Sequence, residues 1–356
     1  MVAALEALVQ SESPSADIGA TAQCATTLAA IGTALLGAPP ERVEVDGRTH
    51  LRWQFGARTR VAIVGHFDTV WPLGTAARWP FAVQDGRATG PGTFDMKAGV
   101  IQSLYGLALL DDLDGVTVLM TSDEELGSPT SRTLIEDLAR GARAALVTEP
   151  AGRDGALKTG RKGVSMYTVR CHGMAAHASD PSRGANATVE MARQVLEVEQ
   201  LGDPALGTTV TPTLASAGTT QNTIPATAWF YTDCRVADVG EQERLHRAMR
   251  GLVSSDPQVK VEVTGGPNRP PFPVAVGQPL FERAAALGHE MGLPAFAGIS
   301  VAGGSDGNFT AALGVPTLDG LGAVGDHAHG EGEFVNVAAM PERAALLAGL
   351  VEELRE

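Results

Sequence analysis

Several acidic residues and a histidine of this sequence come shortly after short apolar runs. His66 and Asp68 follow the run RVAIVG in the stretch GHFDTV, and Glu149 follows ARAALVT. The acidic triplet at 123–125 follows VTVLMTS, and Asp95 lies in the glycine-rich stretch GPGTFDMKAG, which leads into an apolar helical pattern. Imidazole nitrogens and carboxylate oxygens can bind a divalent metal ion, and a carboxylate beside such an ion can transfer protons.

A metal ion would explain why so many acidic groups come together. Carboxylates that converge at the ends of parallel strands repel one another unless a positive charge neutralises them. Nitrogen and oxygen ligands without a thiolate are typical of zinc, cobalt or manganese. Two neighbouring metal ions need a shared ligand, and the glycines near Asp95 allow its backbone a close approach. The required second histidine is offered by GLGAVGDHAHGEGEF, as His327 or His329.

A different chemistry is indicated by GGSDG at 303–307, which fits the G-x-S-x-G pattern of serine hydrolases with Ser305 as nucleophile. The other triad members would follow in the expected chain order, as Asp319 or Asp326 and then His327 or His329. This alternative gives the acidic residues described above no role. A binding protein that has lost its chemistry is a third alternative, and the complete set of candidate ligands argues against it.

The elements that must position these residues alternate along the first part of the chain. Apolar runs rich in β-branched residues predict strands at 60–65, 115–122 and 142–149, and helical spacing predicts helices from Met96 to Leu110 and at 131–140. This alternation predicts an α/β fold with a mostly parallel sheet. Ligand sites of such sheets lie beyond the carboxyl ends of the strands, so the candidate residues should converge there.

The middle of the chain predicts a separate unit. Strand signals at 163–171, 208–218, 227–237 and 259–266, with helix signals at 185–200 and 240–255, follow the βαββαβ order of a ferredoxin-like fold. The stretch GGPNRPPFP at 265–273 is predicted to be a linker. We therefore expect a catalytic metal-binding domain made of residues 1–160 and 270–356, with an inserted domain of residues 161–269.

The bulk composition narrows the class of protein. The chain has 356 residues and a formal net charge of −14, which disfavours nucleic acid or an anionic membrane as partner. The three cysteines show no paired spacing, and we find neither a signal peptide nor an apolar run long enough to cross a bilayer. These features predict a cytoplasmic protein.

The motifs GHFDTV, GPGTFDMKAG, TSDEELGS and VTEP, with the later histidine, resemble in type and order the metal-site motifs of the aminoacylase and glutamate carboxypeptidase family of dinuclear zinc hydrolases. The resemblance runs from about residue 8 to the C-terminus, and GHFDTVWPLGT and DGLGAVG are most similar to the glutamate carboxypeptidase branch. It implies an α/β catalytic domain of the zinc-peptidase type with an inserted ferredoxin-like α+β domain, which acts as a lid and forms a homodimer.

The resemblance also implies a role for each matching residue. His66 and Glu149 would bind one zinc ion, Glu125 and His329 would bind the other, and Asp95 would bridge the two. Cobalt or manganese could replace zinc. The resemblance further implies a cis peptide bond directly after Asp95.

Further implied roles concern the groups around the ligands. Asp68 would hold the ring of His66, and Glu124 would be the general base. The family pattern has a histidine four or five residues before a glutamate that leads into an aromatic residue. His329, which precedes Glu333, fits this pattern better than His327.

Four residues of the inserted domain resemble residues at the substrate side of the family's active site. His177 resembles a lid histidine that reaches the partner subunit's active site and donates a hydrogen bond to the developing oxyanion. Asn222 in TTQNTIP resembles an asparagine near the substrate. Arg235 and Arg269 resemble arginines that bind the substrate's α-carboxylate, although Arg235 could equally form an ion pair at the end of a strand.

The implied reaction is hydrolysis of an amide bond to the C-terminal amino acid of a small peptide or an N-acyl amino acid. Two zinc ions would activate a water molecule, and Glu124 would take its proton and pass it to the leaving nitrogen. An N-acyl amino acid deacylase of the aminoacylase or desuccinylase type would use the same chemistry. The sequence leaves both alternatives open.

Overall fold

The computed structural model describes all 356 residues, which divide into two compact units. The first unit consists of Met1–Arg161, Phe272–Val301 and Ser305–Glu356, and the second of Lys162–Pro271 and Ala302–Gly304. The piece Ala302–Gly304 groups with the second unit, and within it the carbonyl oxygen of Ala302 accepts a hydrogen bond from Arg235 at 3.4 Å.

The secondary structure comprises ten α-helices, five short helical turns of other types and eighteen strands. The helices are α1 (Val2–Gln10), α2 (Ile18–Leu36), α3 (Thr75–Arg78), α4 (Ala98–Leu107), α5 (Arg132–Ala139), α6 (Ala187–Glu199), α7 (Val239–Arg250), α8 (Val274–Glu290), α9 (Gly307–Ala312) and α10 (Ala339–Arg355). The strands are β1 (Glu41–Val45), β2 (Arg48–Gln54), β3 (Val61–His66), β4 (Ala82–Gln84), β5 (Arg87–Thr89), β6 (Val116–Thr121), β7 (Ala144–Val147), β8 (Leu157–Arg161), β9 (Gly163–His172), β10 (Ala176–His177), β11 (Thr209–Ala217), β12 (Thr223–Ile224), β13 (Thr227–Val236), β14 (Lys260–Arg269), β15 (Gly298–Val301), β16 (Thr317–Leu318), β17 (Gly325–Asp326) and β18 (Phe334–Asn336).

The main sheet of the first unit has the strand order β1-β2-β6-β3-β7-β16. Strands β6, β3, β7 and β16 run parallel, whereas β1 and β2 are joined to them by antiparallel pairing. Every residue of β3, β6 and β7 is buried, which explains their uninterrupted apolar runs. The predicted mostly parallel sheet is confirmed.

Helices cover both faces of this sheet. Ile63 of β3 belongs to the large core cluster that includes residues of α4 and α10, whereas the next residue, Val64, packs in a smaller cluster with Ile135 of α5 and Phe309 of α9. Successive residues of a strand point to opposite faces, so β3 has a helical layer on each side.

Helix α2 is long and apolar enough to cross a membrane by length and composition, so the expectation that no segment has this character is wrong. Its Cys24, Ala25 and Leu28 lie in the large core cluster, and the ring of Trp53 on β2 approaches Gly32 closely. Core helices of soluble proteins pass the same test of length and composition.

The second unit has the ferredoxin-like fold. Its elements follow the order β9-α6-β11-β13-α7-β14, and its antiparallel sheet has the strand order β11-β13-β9-β14. Alternate residues of β9 and β13 are buried, and Tyr167, Val169, Phe230 and Cys234 pack in one cluster with Leu245 of α7. Such alternation is expected of a sheet with one covered face, and the predicted βαββαβ unit is confirmed.

The prediction of a linker at 265–273 is wrong for its first half. Strand β14 continues to Arg269, and residues 265–267 pair with residues 165–167 of β9. Strand β14 lies at the edge of its sheet, where Pro267 can be accommodated although it lacks an N–H group. The register shifts directly after Pro267.

Candidate metal centre

Three neighbouring strands of the main sheet end beside the candidate ligands. His66 is the last residue of β3 and pairs in register with Thr121, the last residue of β6. Glu149 follows β7 by two residues, and Glu124 and Glu125 lie in a short helical turn after β6. Because β3, β6 and β7 are parallel neighbours, their carboxyl ends bring these side chains to one edge of the sheet.

Asp95 reaches the same place from a distorted helical turn, Thr93–Lys97, that precedes α4. Asp95 and Met96 depart from helical backbone angles, so α4 begins at Ala98 and not at Met96 as predicted. The peptide bond between Asp95 and Met96 is cis, as the family resemblance implied.

The structure explains why position 92 is a glycine. Gly92 has a φ of 70°, and a Cβ atom there would lie 2.4 Å from Cγ2 of Thr69. A larger residue would have to adopt a left-handed backbone and also displace Thr69. Gly92 in GPGTFDMKAG therefore allows the backbone to make a tight turn against Thr69 just before Asp95.

The buried carboxylate of Glu333 holds this turn. Its Oε1 accepts hydrogen bonds from the backbone N–H groups of Phe94 at 2.7 Å and Asp95 at 2.9 Å. Its Oε2 accepts hydrogen bonds from the N–H of Gly92 at 3.2 Å and from the indole N–H of Trp71 at 3.1 Å. Burial raises the pKa of Glu333 to about 7, although the backbone hydrogen bonds oppose this. Glu333 was expected only to mark the spacing from His329, and its contacts with the turn leave no trace in the local sequence.

The two carboxylate oxygens of Asp95 face two different histidines. Oδ1 lies 3.4 Å from Nε2 of His66, and Oδ2 lies 3.3 Å from Nε2 of His329. Nε2 of His66 also lies 3.5 Å from Oε1 of Glu149, and Nε2 of His329 lies 3.0 Å from Oε1 of Glu125. Two ligands of one tetrahedral zinc ion lie about 3.4 Å apart when each metal–ligand bond is about 2.1 Å. The spacing fits two metal ions that share Asp95.

The burial of the carboxylates and the raised pKa values of Glu125 and Glu149 also fit a bound cation. Oδ1 of Asp95 is buried and has no hydrogen-bond partner, and such an atom is well satisfied by a metal ion. Burial, together with repulsion from Asp95, raises the pKa of Glu149 and raises that of Glu125 to about 7. A bound divalent cation would neutralise this repulsion and favour both ionised carboxylates.

The histidines are strongly coupled to these carboxylates. Hydrogen bonds to Asp95 and Glu125 raise the pKa of His329 to about 11. Burial opposes protonation of His66, but the nearby carboxylates of Asp68, Asp95 and Glu149 outweigh it and raise its pKa well above the usual value.

The buried carboxylate of Asp68 connects two of the strand ends. Its Oδ1 lies 3.4 Å from Nδ1 of His66, and the backbone oxygen of Asp68 lies 3.0 Å from the same nitrogen. Its two oxygens accept hydrogen bonds from the backbone N–H groups of Glu124 and Glu125, both at 3.2 Å. With its proton on Nδ1, the imidazole of His66 presents Nε2 as a ligand atom.

The carboxylate of Glu124 lies in the same cluster. Ligand atoms of His66, Glu124 and Glu149 are within 4.8 Å of one another, and so are those of His66, Asp95 and Glu125. The predicted carboxylates of Asp95, Glu124, Glu125 and Glu149 therefore all lie close to His66.

Of the two C-terminal histidines, His329 and not His327 lies beside the carboxylates of Glu125 and Asp95. The ring of His327 lies 6.3 Å from the ring of Phe334, whereas Nε2 of His329 contacts both Glu125 and Asp95. Both histidines have a positive φ. The geometry thus agrees with the spacing argument for His329.

Ser305 does not form a catalytic triad. Its buried hydroxyl donates a hydrogen bond to Oδ2 of Asp319 at 2.6 Å and accepts one from the N–H of Gly307 at 3.1 Å. Asp319 in turn forms an ion pair with Arg161. A serine nucleophile needs a hydrogen bond to a general base, and here the hydroxyl donates to a carboxylate paired with an arginine.

The other predicted site residues belong to the second unit. His177 in β10 pairs with Thr223 of β12 and is exposed, and its Nδ1 lies 2.7 Å from the hydroxyl of Ser179. Asn222 is also exposed, and its backbone oxygen accepts a hydrogen bond from the N–H of Ala178 at 2.9 Å. His177 thus lies in a small two-stranded sheet of β10 and β12, and Asn222 directly precedes β12.

The two arginines have partners within that unit. Arg235 donates two hydrogen bonds to the carboxylate of Asp233, at 2.7 and 2.8 Å, which is the ion pair considered as its alternative role. Arg269 is buried at the end of β14, and its Nη1 donates to Oδ1 of Asn268 at 3.2 Å.

Comparisons with known proteins agree with the geometry of this site. The sequence profile described as peptidase family M20/M25/M40 matches residues 62–353. The chain belongs to this family. It is 35% identical to carboxypeptidase G2 of Pseudomonas sp. (strain RS-16) over 308 residues, which cover 82% of this chain and 73% of that protein.

Two further similarities concern the sequence and the fold. The chain is 29% identical to succinyl-diaminopimelate desuccinylase of Paracoccus denitrificans (strain Pd 1222), over 87% of this chain and 88% of that protein. Its fold is similar to that of the M20 metallo-carboxypeptidase Sso-CP2 from Sulfolobus solfataricus, with a TM-score of 0.77, 17% identity and coverage of 99% and 98% of the two chains. This M20/M25/M40 protein is a metallo-hydrolase, as predicted.

Proposed function

We propose that this M20/M25/M40 protein binds two divalent metal ions, zinc in the first instance, and hydrolyses the amide bond between an acyl group and an amino acid with a free α-carboxylate. One observation carries the proposal: the two oxygens of Asp95 face His66 and His329 separately, and each histidine has a further glutamate beside it. His66, Glu149 and Asp95 would hold one ion, and His329, Glu125 and Asp95 the other.

Bound cations would supply Lewis acidity, which lowers the pKa of a water molecule and polarises the amide carbonyl group. Glu124 takes the proton from that water and gives it to the leaving nitrogen. Glu149 and Asp95 already lie beside His66, which favours proton transfer as the role of Glu124. Asp68 holds the backbone of Glu124 and the ring of His66 in a fixed relation.

We assign the substrate side to the second unit. The exposed imidazole of His177 would donate a hydrogen bond to the oxyanion, and the exposed amide of Asn222 would bind the substrate nearby. Arg235 would bind the α-carboxylate only if this group displaces Asp233 from the guanidinium. Arg269 is buried and would take this role only after local rearrangement.

We also propose a homodimer and a cytoplasmic location. Strand β11 lies at the edge of the ferredoxin-like sheet, most of its residues are exposed, and an open edge can pair with a second copy. The three cysteines are free and buried, which suits a reducing compartment.

An N-acyl amino acid deacylase is the second candidate function. The similarity to a succinyl-diaminopimelate desuccinylase over most of both chains favours it, because the same metal chemistry would cleave an acyl amide. The two functions differ in the acyl group that is accepted.

A substrate panel with metal control tests both functions. Folyl-, acetyl-, succinyl- and aminoacyl-glutamate would be compared with the same acyl groups on other amino acids, and kcat/KM would be measured for each. Dialysis against a chelator should abolish activity, and added zinc, cobalt or manganese should restore it. Full activity in metal-free protein, or hydrolysis of esters alone, would contradict the proposal.

A further inference from the structure

Two consecutive residues of the GGSDG segment, Ser305 and Asp306, are buried and belong to hydrogen-bond networks that reach different halves of the proposed metal centre. We propose that both are positioning residues: Ser305 orients Glu149, and Asp306 positions the turn that carries Glu125. This inference rests on the proposed function, because it assigns a role toward the two metal ions.

The network of Ser305 passes through an ion pair. The hydroxyl of Ser305 donates to Oδ2 of Asp319 at 2.6 Å, and the same oxygen accepts a hydrogen bond from Nε of Arg161 at 2.6 Å. Nη2 of Arg161 donates to Oδ1 of Asp319 at 3.1 Å. The guanidinium is therefore fixed by two parallel hydrogen bonds, which set its plane.

Arg161 then acts on one oxygen of Glu149. Its Nη2 lies 3.6 Å from Oε2 of Glu149, whereas Oε1 of Glu149 faces His66 at 3.5 Å. Arg161 and Asp319 are both buried, so water does not screen this interaction. The arginine holds Oε2 and leaves Oε1 to bind the metal ion.

Asp306 forms hydrogen bonds with residues on both sides of the turn Glu124–Leu126. Its Oδ2 accepts a hydrogen bond from the hydroxyl of Thr121 at 3.3 Å, and its Oδ1 accepts one from the hydroxyl of Ser128 at 2.5 Å. Thr121 ends β6 before the turn, and Ser128 follows it with a φ of 59°. The turn Glu124–Leu126 lies between these two anchors.

These contacts complement those of Asp68, which accepts hydrogen bonds from the backbone inside the turn. Asp68 and Asp306 together fix the middle and both ends of the segment that carries Glu125. Groups that orient metal ligands in this way are typically worth about 10–100-fold in metal affinity. The segment that matched a serine hydrolase pattern thus has a role in metal binding.

The roles of Ser305 and Asp306 can be tested separately if one ligand of only one metal ion is removed at a time. His329→Ala leaves His66, Asp95 and Glu149 as one set of ligands, and Glu149→Ala leaves Asp95, Glu125 and His329 as the other. Titration calorimetry of the metal-free full chain with Zn²⁺ would give one affinity for each background.

Arg161→Lys keeps the charge but loses the two-bond fork, so it should weaken Zn²⁺ binding about 10–100-fold in the His329→Ala background. In the Glu149→Ala background, Arg161→Lys should change the Zn²⁺ affinity less than about threefold, because the carboxylate that Arg161 orients is absent. Asp306→Asn should show the opposite pattern. Ser305→Ala should follow Arg161→Lys with a smaller effect.

Ser103→Ala is the matched control. Ser103 is also a buried serine whose hydroxyl donates a hydrogen bond, to the backbone oxygen of Val100 at 2.7 Å in α4, and it should leave both affinities unchanged. If Arg161→Lys or Asp306→Asn does not fold, the smaller changes Ser305→Ala and Ser128→Ala test the same two networks.

Unchanged affinities in all folded variants would overturn the inference. Equal weakening in both backgrounds would also overturn it, because that result indicates general loosening rather than two separate networks. A wild-type chain that binds no divalent cation would instead contradict the proposed function itself, so the two failures are distinguishable.

Discussion

The carboxylate of Glu333 accepts a hydrogen bond from the backbone N–H of Asp95 at 2.9 Å, across 238 positions of sequence. The same carboxylate accepts the N–H groups of Phe94 and Gly92, so it sets the path of the backbone from which Asp95 reaches both histidines. This carboxylate thus supports the proposed metal centre through the backbone of Asp95.

Glu333→Gln should therefore weaken metal binding. The amide would place an NH₂ group against backbone N–H donors, and at least one donor would lose its acceptor. We expect a loss of about 10–100-fold in Zn²⁺ affinity, measured by calorimetry and by the zinc content after dialysis. Glu331→Gln, at an exposed position of the same segment, is the control. Zinc binding equal to that of the wild type in Glu333→Gln would contradict this role.

Glu124 and Glu125 are neighbours with different predicted roles. Glu124→Gln should lower kcat by about 10²–10⁴-fold and leave two zinc ions bound, because it removes proton transfer alone. Glu125→Gln should lose the zinc ion at His329. Elemental analysis and steady-state kinetics of both variants separate the general base from the ligand. If the two variants show the reverse pattern, the assignments must be exchanged.

Metal binding should depend on pH through His329. Its pKa is raised to about 11 by Asp95 and Glu125, so in the metal-free protein the imidazole holds a proton at neutral pH, and a cation must displace it. Fewer protons compete as the pH rises toward this pKa, and the apparent Zn²⁺ affinity should therefore increase between about pH 6 and pH 9. Calorimetry in buffers of different ionisation enthalpy would count the protons released. An affinity independent of pH, with no proton release, would refute this coupling.

Gly92 and Gly86 provide a matched pair for the turn before Asp95. Both have a φ in the left-handed region, 70° and 76°, but an added Cβ meets Thr69 at position 92 and nothing within 4 Å at position 86. Alanine at either position should cost about 1–2 kcal/mol for the backbone, and Gly92→Ala about 1–3 kcal/mol more for the contact. Urea unfolding of the metal-free proteins measures both values. Equal costs would mean that Thr69 moves aside freely.

The proposed dimer predicts complementation between inactive proteins. If His177 acts in the active site of the partner subunit, a mixture of His177→Ala and Glu124→Ala proteins should regain part of the activity, because each hybrid dimer contains one intact site. Activity of the mixture is compared with that of each variant alone. Subunit exchange is checked with two tags of different mass, and exchange without recovery would exclude action in trans.

The sequence predicted those parts of the structure that depend on local patterns. The continuous apolar runs of β3, β6 and β7 are typical of strands that are covered on both faces. The alternation of buried and exposed residues in β9 and β13 is typical of a sheet that is covered on one face. Polar residues that follow such strands are visible as motifs, which is why His66 and Glu149 were found.

Groups that act across long sequence separations could not be predicted in this way. Arg161 and Asp319 form a buried ion pair 158 positions apart. Arg161 lies in no recognised motif, and Asp319, the first residue of DGLGAVG, was considered only as a member of a serine triad. The strand predicted at 259–266 continues to Arg269, and this continuation was missed because proline and glycine residues suggest a turn, whereas pairing with β9 at a sheet edge overrides that preference.

The discontinuous first unit has a consequence for synthesis of the protein. Four proposed ligands lie in Met1–Arg161, but His329 and Glu333 are translated only after the whole of Lys162–Pro271. A nascent chain that has not yet reached these residues lacks one histidine and the acceptor that fixes Asp95. Two metal ions could therefore be bound only after His329 and Glu333 have been translated. Chains that are released before these residues would remain incompletely metallated.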